Sequence, residues 1–203
     1  MSGDSPTGCQ YDAQYYQDMR NNYRDRLEFR LANLWRAAYI LLSLRPKTVL
    51  DVGGGMGLLI ERLRSWGREA AGLELSRYAI AQAPPEVRDR FAQGDLTALP
   101  FSDRAFDVVA SVNVLEHLEG TAVTAALREC ARVAHRGMYH EITVLEDRGV
   151  IHRDPTHRTK LSASQWLYRL AGDLPAWKVR RGLRLPRYKN GIFIADRGQE
   201  GLT

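Results

Sequence analysis

Hydrophobic and polar positions follow two different periods along the chain. Between residues 12 and 44, apolar side chains recur every three to four positions, which predicts an amphipathic helix, or two helices joined near residues 21–22. After that segment, short apolar runs alternate with further helical patterns. The runs predicted as strands cover 48–52, 70–75, 91–93, 106–112, 138–144, 177–183 and 191–195, and the helical patterns cover 58–66, 77–83, 120–134 and 162–171.

This alternation of strand and helix predicts the fold class. Parallel strands need crossover connections, and they bury both of their faces under the crossover helices. We therefore expect an α/β protein with a Rossmann-like, doubly wound sheet. The two C-terminal strands are short and close in sequence, so we expect them to pair as a hairpin at the edge of the sheet.

Composition narrows the class of protein. With 203 residues, 44% hydrophobic and 26% charged, the chain has the profile of one compact domain and not that of a disordered, collagen-like or disulfide-rich protein. Cys9 and Cys130 lie too far apart for a Cys-x-x-Cys motif, and we expect free thiols. The polar residues 1–12 do not resemble a secretory signal, and the apolar run 37–42 is too short to cross a membrane. These features favour a soluble, cytoplasmic protein, as a monomer or a homodimer, with no membrane partner.

The positive charge is concentrated in two segments. The formal net charge is +5, and the basic residues cluster at 20–36 and at 178–189. Such clusters bind anionic partners such as nucleic acid, or only coat a solvated surface. We favour the second interpretation for 178–189, at the outer edge of the sheet.

Polar residues stand where the predicted strands end. In open α/β sheets the ligand lies beyond the carboxyl ends of the strands. The residues at those ends are Asp51, Glu74, Asp95 and Asn113, with Glu116 and His117 just beyond the fourth strand and His140 and Glu141 in the fifth. The sequence thus predicts a polar ligand site along one edge of the sheet.

A glycine-rich block, residues 49–57, follows the first strand. Glycines let the backbone turn sharply and approach a ligand, and the helix that follows directs its free N–H groups towards that ligand. The spacing is D-x-G-x-G-x-G and not G-x-G-x-x-G, because Leu58 stands where the third glycine of a dinucleotide motif belongs. Glu74 follows Asp51 at about the distance, roughly 20 residues, of a ribose-binding carboxylate.

Four blocks in this order resemble the class I S-adenosylmethionine-dependent methyltransferases that act on small molecules: 50–57, 72–76, 94–101 and 106–118. The resemblance implies a sheet of seven strands with the last antiparallel, an N-terminal helical lid, and S-adenosylmethionine as cofactor. It divides the chain into a flexible N-terminus (1–12) and a single domain (13–203), composed of the lid (13–45), the cofactor-binding core (47–145) and a substrate loop, helix and hairpin (146–203). The implied cofactor-binding residues are Asp51, Gly53, Gly55, Gly57, Glu74, Leu75, Asp95, Leu96, Asn113 and, from the lid, Tyr16.

Methyl transfer to a hydroxyl or ammonium group requires the loss of a proton, for which histidine is suited near neutral pH. Our catalytic candidates lie on or after the strands that face the cofactor: His117, His140, Glu141 and His157. His135, at the end of a predicted helix, is expected to interact only with the helix dipole.

The loop 152–157 carries two histidines and a carboxylate. It has three possible interpretations: a lining of the substrate pocket, a plain Asp-Pro turn in which Asp154 bonds the backbone near Thr156, or a metal site. We assign no metal, because metal sites usually draw ligands from more than one element. His152, Asp154 and His157 remain the candidates for that alternative.

The sequence therefore predicts methyl transfer to a hydroxyl or amino group of a small-molecule acceptor, of the natural-product or sugar type. Two alternatives stay open. The basic segments allow an RNA methyltransferase, although no separate RNA-binding module is visible and nucleic acid is not favoured as a partner. The third interpretation is a non-catalytic, cofactor-binding subunit that activates another methyltransferase.

Overall fold

A computed structural model of the protein describes residues 11, 13–18, 27–146, 154–183 and 190–197.

Two helices come first along the chain, α1 (Ala13–Asp18) and α2 (Leu27–Leu44). The predicted junction at 21–22 and most of the predicted flexible N-terminus lie outside the described residues.

Seven strands form one sheet, as the sequence predicts. They are β1 (Thr48–Val52), β2 (Glu69–Glu74), β3 (Phe91–Gln93), β4 (Phe106–Val112), β5 (Ala134–Ile142), β6 (Lys178–Arg181) and β7 (Gly191–Asp196). Their order is β3-β2-β1-β4-β5-β7-β6, and β7 is antiparallel to both of its neighbours. Because β1 to β5 are parallel, their carboxyl ends meet at one edge of the sheet. The doubly wound α/β fold with an antiparallel last strand is confirmed.

The connecting helices are α3 (Leu58–Ser65), α4 (Arg77–Gln82), α5 (Pro85–Arg88), α6 (Thr121–Val133) and α7 (Ala163–Asp173), with a short 3-10 turn at Leu115–His117. Local capping explains two of their starts. The Ser76 hydroxyl accepts a hydrogen bond from the Ala79 amide at the start of α4, and Ser162 forms a capping box with Gln165 at the start of α7.

One strand boundary differs from the prediction. β5 begins at Ala134 and not near residue 138, so His135 lies on a strand instead of at a helix end, 3.9 Å from a carboxylate oxygen of Asp107. The expected dipole contact of His135 is therefore wrong. α6 ends directly in β5, without the loop that a helix-to-strand connection usually has, and this hides the boundary from pattern analysis.

The core lies on both faces of the sheet. On one face, α6 and α7 bury side chains such as Leu127 and Trp166, and on the other face α2 and α3 bury Ile40 and Leu63. Burial of one such side chain contributes roughly 1.5–3 kcal/mol, so both layers are needed to hold the strand ends in place.

The buried face of α2 is not its leucine row. Leu27, Leu31 and Leu42 are 69%, 54% and 79% exposed, whereas Arg36 is buried together with the small and apolar residues of the opposite stripe. A buried arginine needs a compensating partner, and that partner is Glu141, described below. The ion pair between Arg36 and Glu141 thus decides which face of α2 is buried, and the spacing of its leucines does not.

No helix within the described ranges is long and apolar enough to cross a membrane. Cys130 is a free, buried thiol on α6, and burial raises its pKa to about 12, so it packs as a small apolar group. Cys9 lies outside the described residues. Of the C-terminal basic cluster, Lys178, Arg180 and Arg181 are exposed on the edge strand β6, and Arg180 lies 3.5 Å from Asp196.

Candidate active site

A cavity of about 710 Å³ lies at the edge where β1 to β5 end. Its walls come from both the sheet and the N-terminal helices. The predicted residues that line it are Asp51, Gly53, Gly55, Glu74, Leu75, Asp95, Leu96, Asn113, Tyr16, His117, Asp154 and His157. His140, Glu141 and Gly57 are not among the lining residues, and His152 lies outside the described part of the chain.

The glycine block forms a tight turn between β1 and α3. Gly53, Gly55 and Gly57 have φ angles of 69°, 53° and 81°, the left-handed region that side chains with a Cβ rarely adopt. At Gly53 a Cβ would also lie 2.4 Å from a methyl group of Val114. The backbone of this loop therefore forms a wall of the cavity that only glycine permits. Gly57 is buried below that wall as the N-cap of α3, with a Cβ position 3.1 Å from Val87.

Glu74, at the end of β2, is held in place by two backbone amides. Its two carboxylate oxygens each accept a bond of 2.8 Å, one from Gly55 and one from Ser76. Burial raises the pKa of Glu74, and these amides oppose that rise. Because each carboxylate oxygen has more than one acceptor site, the fixed carboxylate has capacity left for donors from the cavity.

Asp51 and the end of β3 complete this side of the cavity. Asp51 is 3% exposed, and its Oδ1 has no hydrogen-bond partner among the described residues. Asp95 accepts bonds from the amide and hydroxyl of Thr97, both at 2.8 Å, while Leu96 presents an apolar side chain next to it. We call the part of the cavity around Glu74, Asp51 and Asp95 the cofactor end.

Tyrosines of the N-terminal segment cover the cofactor end. The ring of Tyr16 lies 5.7 Å from that of Tyr78 on α4, and the hydroxyl of Ser76 donates to the carbonyl oxygen of Tyr11. Tyr15 packs edge to face against both Tyr11 and Tyr16, at 5.1 and 5.3 Å between centroids. These contacts place Tyr11 and the tyrosines of α1 in the lining of the cavity.

Behind Asn113, a buried network joins α2 to the sheet. Arg36 donates two hydrogen bonds, of 2.7 and 2.6 Å, to the carboxylate of Glu141. Asn190 donates to the side-chain oxygens of both Glu141 and Asn113, at 3.0 and 2.9 Å. Burial disfavours the ionised carboxylate, but Arg36 outweighs this and holds the pKa of Glu141 below its usual value. Glu141 is thereby held behind the cavity wall as the buried partner of Arg36, away from the space where an acceptor would bind.

Two histidines and an aspartate face the other side of the cavity. The rings of His117 and His157 lie 4.7 Å apart, and Nε2 of His157 is 3.7 Å from Oδ2 of Asp154. The hydroxyl of Tyr15 donates to the same carboxylate oxygen at 3.2 Å. We call this group, Tyr15, His117, Asp154 and His157, the histidine end.

A hydrogen-bond relay fixes the tautomer of His117. The hydroxyl of Thr156 donates its proton to Asp154 at 2.5 Å and lies 2.8 Å from Nδ1 of His117. Because that hydroxyl has only one proton, Nδ1 of His117 must be the donor, and Nε2 carries the lone pair. Burial, followed by the neighbouring His157, lowers the pKa of His117 to about 4, so the ring is neutral near pH 7.

The loop around Asp154 combines two of the interpretations weighed from the sequence. Asp154 accepts a 2.8 Å bond from the amide of Thr156, which is the predicted Asp-Pro turn, and this same turn presents Asp154 and His157 to the cavity. His140 takes no part, because its Nδ1 is bonded to the hydroxyl of Ser111 at 2.8 Å inside the sheet. Burial lowers the pKa of His140 to about 4.

Sequence reasoning missed two contributors to the site, Arg36 and Asn190, which hold Glu141 and Asn113. It named Tyr15 as a lid candidate but missed its contact with Asp154 across 139 residues of chain. One local signal pointed to the burial of Arg36. It stands four residues after Ala32 and four before Ile40, so all three side chains lie on the face of α2 that packs against the sheet.

Residues 50–140 match the family of proteins described as "methyltransferase domain". Curated methyltransferases are also similar to this chain. A demethylmenaquinone methyltransferase of Roseiflexus castenholzii is 33% identical over 51% of this chain and 45% of its own length, and a ubiquinone biosynthesis O-methyltransferase of Nitrosomonas europaea is 28% identical over 62% and 55%. The chain spans about half the length of these relatives.

The fold is also shared with solved structures. Magnesium protoporphyrin IX methyltransferase of Synechocystis PCC 6803, crystallised with bound SAM, superposes with a TM-score of 0.72 over 97% of this chain and 100% of that chain, at 17% identity. A methyltransferase of Archaeoglobus fulgidus superposes with a TM-score of 0.69 over 90% and 99%, at 18% identity. At these identities the likeness concerns the fold.

Proposed function

We propose that this chain, whose residues 50–140 match the methyltransferase-domain family, is a class I S-adenosylmethionine-dependent enzyme that transfers the methyl group of S-adenosylmethionine to a hydroxyl or amino group of a small molecule. One observation carries the proposal. The same cavity holds the cofactor end and the histidine end, so that a donor bound along the sheet edge and an acceptor beside His117 share one cavity.

The chemistry of the cofactor end fits S-adenosylmethionine. Glu74, fixed by two amides, accepts the ribose hydroxyls. Asp95 accepts from the adenine amino group, with Leu96 and Leu75 against the ring. The open oxygen of buried Asp51 suits the ammonium group of the methionyl part, because a buried carboxylate oxygen needs a donor. Gly53 and Gly55 permit close approach along the same part of the ligand.

Asn113 flanks the reacting end. It sits in the left-handed region at φ 53°, and Asn190 holds its side-chain oxygen. Such an outlier is sustained by the surrounding contacts, here those of Asn190 and Glu141, and it fixes the turn between β4 and the histidine end. This position is where the cofactor end and the histidine end meet.

The transfer step depends mainly on holding the acceptor atom, the methyl carbon and the sulfur in line. A lone pair of the acceptor atom forms the new bond to the methyl carbon, the sulfur–carbon bond breaks, and its electron pair stays on sulfur to give S-adenosylhomocysteine. The acceptor's proton leaves through the histidine end to water. Holding the reactants in line supplies up to roughly 7–11 kcal/mol of barrier reduction. His117 and His157 are the proposed contacts of the acceptor, whereas His140 and Glu141 act only from within the sheet.

A small-molecule acceptor agrees with the described geometry better than the two alternatives do. The exposed basic residues of β6 lie on the outer edge of the sheet and do not line the cavity, so this basic cluster does not lead to the cofactor end. The polar groups of the histidine end disfavour a purely cofactor-binding subunit, because such a subunit needs no acceptor contacts. One named relative is a demethylmenaquinone methyltransferase and the other an O-methyltransferase of ubiquinone biosynthesis, and both names point to small-molecule acceptors.

The test is formation of S-adenosylhomocysteine by the purified full chain. We expect binding of S-adenosylmethionine by calorimetry, and turnover with members of a panel of phenols, hydroquinones, sugars and amines. Cofactor binding without turnover on any acceptor would favour the partner-subunit alternative. Turnover only with transfer RNA or ribosomal RNA, with a steep salt dependence, would favour the RNA alternative.

A further inference from the structure

Three potential metal ligands meet at the histidine end. Glu116, His117 and His157 each offer one ligand atom, and these atoms lie within 4.8 Å of one another. They come from two elements, the turn after β4 and the loop before α7. In a tetrahedral site with bonds of about 2.1 Å, two ligand atoms of one ion lie about 3.4 Å apart, so side-chain movements of up to about 1.4 Å close the set.

The burial of Glu116 needs an explanation. The side chain is fully buried, and Oε1 accepts a 2.9 Å bond from the amide of Thr143. Among the described residues, Oε2 has no hydrogen-bond partner and no lysine or arginine forms an ion pair with this carboxylate. Buried carboxylates are paired, protonated or bound to a metal, because an isolated buried charge is costly.

Both histidines are oriented as metal ligands are. Nδ1 of His117 donates to Thr156, which leaves the lone pair on Nε2, and Nε2 of His157 faces Asp154, which leaves Nδ1 on the other side of the ring. In metal sites a histidine typically turns its second nitrogen to a carboxylate or another acceptor, and this outer contact fixes the ring. Asp154 serves both histidines, one directly and one through Thr156.

We propose that Glu116, His117 and His157 bind one divalent transition-metal ion. Two imidazoles and one carboxylate suit Zn²⁺, Fe²⁺ or Co²⁺ and not Mg²⁺, which prefers oxygen ligands. His117 and His157 line the cavity, so the remaining coordination positions are open to the acceptor. This extension rests on the proposed function and narrows it to O-methylation: an acceptor hydroxyl binds the ion, loses its proton to water, and attacks the methyl carbon as an oxyanion.

The test is metal binding itself, measured without turnover. Chelator-treated, tag-free protein is titrated with Co²⁺ and Zn²⁺, and binding is followed by calorimetry and by the visible absorption of bound Co²⁺. We expect one ion per chain, and affinity at least tenfold lower in Glu116→Gln and in His157→Ala. Gln at 116 retains a carbonyl oxygen for the Thr143 amide, and His135→Ala is the control because that half-exposed histidine lies on β5 away from the cluster.

Two results would overturn the metal site. The first is no saturable binding of either ion to the unmodified chain, which would leave Glu116 as a protonated, buried acid. The second is equal Co²⁺ affinity in the unmodified chain and in folded Glu116→Gln and His157→Ala, with folding checked by S-adenosylmethionine binding. Turnover by metal-free protein would also overturn the metal's role while leaving the proposed function intact. Metal binding without any methyl transfer would instead count against the proposed function alone.

Discussion

The cofactor end and the histidine end share one cavity but are built in different ways. At the cofactor end each group follows its own strand directly: the glycine loop after β1, Glu74 at the end of β2, and Asp95 after β3. Backbone amides fix Glu74, and left-handed glycines fix the loop. At the histidine end, side chains from α1, the turn after β4 and the loop before α7 meet only through tertiary packing.

The positions of the polar groups are therefore fixed by different parts of the structure at the two ends. A site made from strand ends inherits its geometry from the sheet, whose parallel register sets the distance between successive groups. A site made from loop side chains depends on relays such as Thr156 between His117 and Asp154. We therefore expect substitutions at the histidine end to lower the rate of methyl transfer, and substitutions at the cofactor end to lower the affinity for S-adenosylmethionine.

The largest expected effect is at His117. His117→Ala should lower the rate of methyl transfer by about 100-fold or more, because it removes a group that contacts the acceptor or the ion that binds it. The dissociation constant for S-adenosylmethionine should stay within about threefold. Single-turnover kinetics and calorimetry measure the two quantities, with His135→Ala as the control. A loss of cofactor affinity as large as the loss of rate would show that the two ends are not separable.

The next effect is at Glu74. Glu74→Ala should weaken S-adenosylmethionine binding tenfold or more, about 1.4 kcal/mol or more, because the ribose loses its acceptor and two amides lose theirs. Glu69→Ala is a matched control, since this exposed residue begins the same strand at the opposite edge of the sheet. Calorimetric titration should give wild-type affinity for the control. Equal affinities in both variants would refute the assignment of the cofactor end.

A smaller effect is expected from the tyrosines that bridge the two ends. Replacing Tyr15 and Tyr16 together by Ala should weaken S-adenosylmethionine binding several-fold, because α1 then loses the aromatic contacts that hold it over the cavity. The double change to Phe keeps the rings and should restore affinity, although it removes the bond from Tyr15 to Asp154. Unchanged affinity in the Ala pair would show that α1 does not act as a lid.

The smallest effect is a pH dependence at Asp51. Burial raises its pKa to about 7, with Arg36 of α2 opposing the rise and Glu74 of β2 adding to it. The folded, ligand-free protein then holds a proton that the unfolded chain releases near pH 4, so stability falls as pH rises between about 4 and about 7. Melting temperatures across that range should show a flatter profile for Asp51→Asn than for the unmodified chain. Parallel profiles would mean that Asp51 is not the titrating group.

The sequence predicts those parts of the site whose signals lie within a few residues of one another in the chain. The glycine spacing and the acids at the ends of β2 and β3 are signals within a few residues, and the structure brings Gly53, Gly55, Glu74 and Asp95 to the cavity, with Gly57 buried below it. His140 and Glu141 were chosen by the same reasoning, but neither lines the cavity. Their partners, Ser111 and Arg36, lie 29 and 105 residues away in the chain, and no local pattern identifies such a pair.

The sequence by itself determined the doubly wound α/β fold and the edge of the sheet at which the cavity lies, because strand and helix periods and glycine spacing are local properties. The antiparallel last strand followed from the resemblance of four sequence blocks to a known family. Tertiary structure alone decided which polar groups are available there. Arg36 neutralises Glu141, Ser111 binds His140, and the Asp154 turn brings His157 beside His117. The physical reason is that a buried charged or hydrogen-bonding group is available to a ligand only where no protein partner already binds it. Packing between distant segments determines which partner it has.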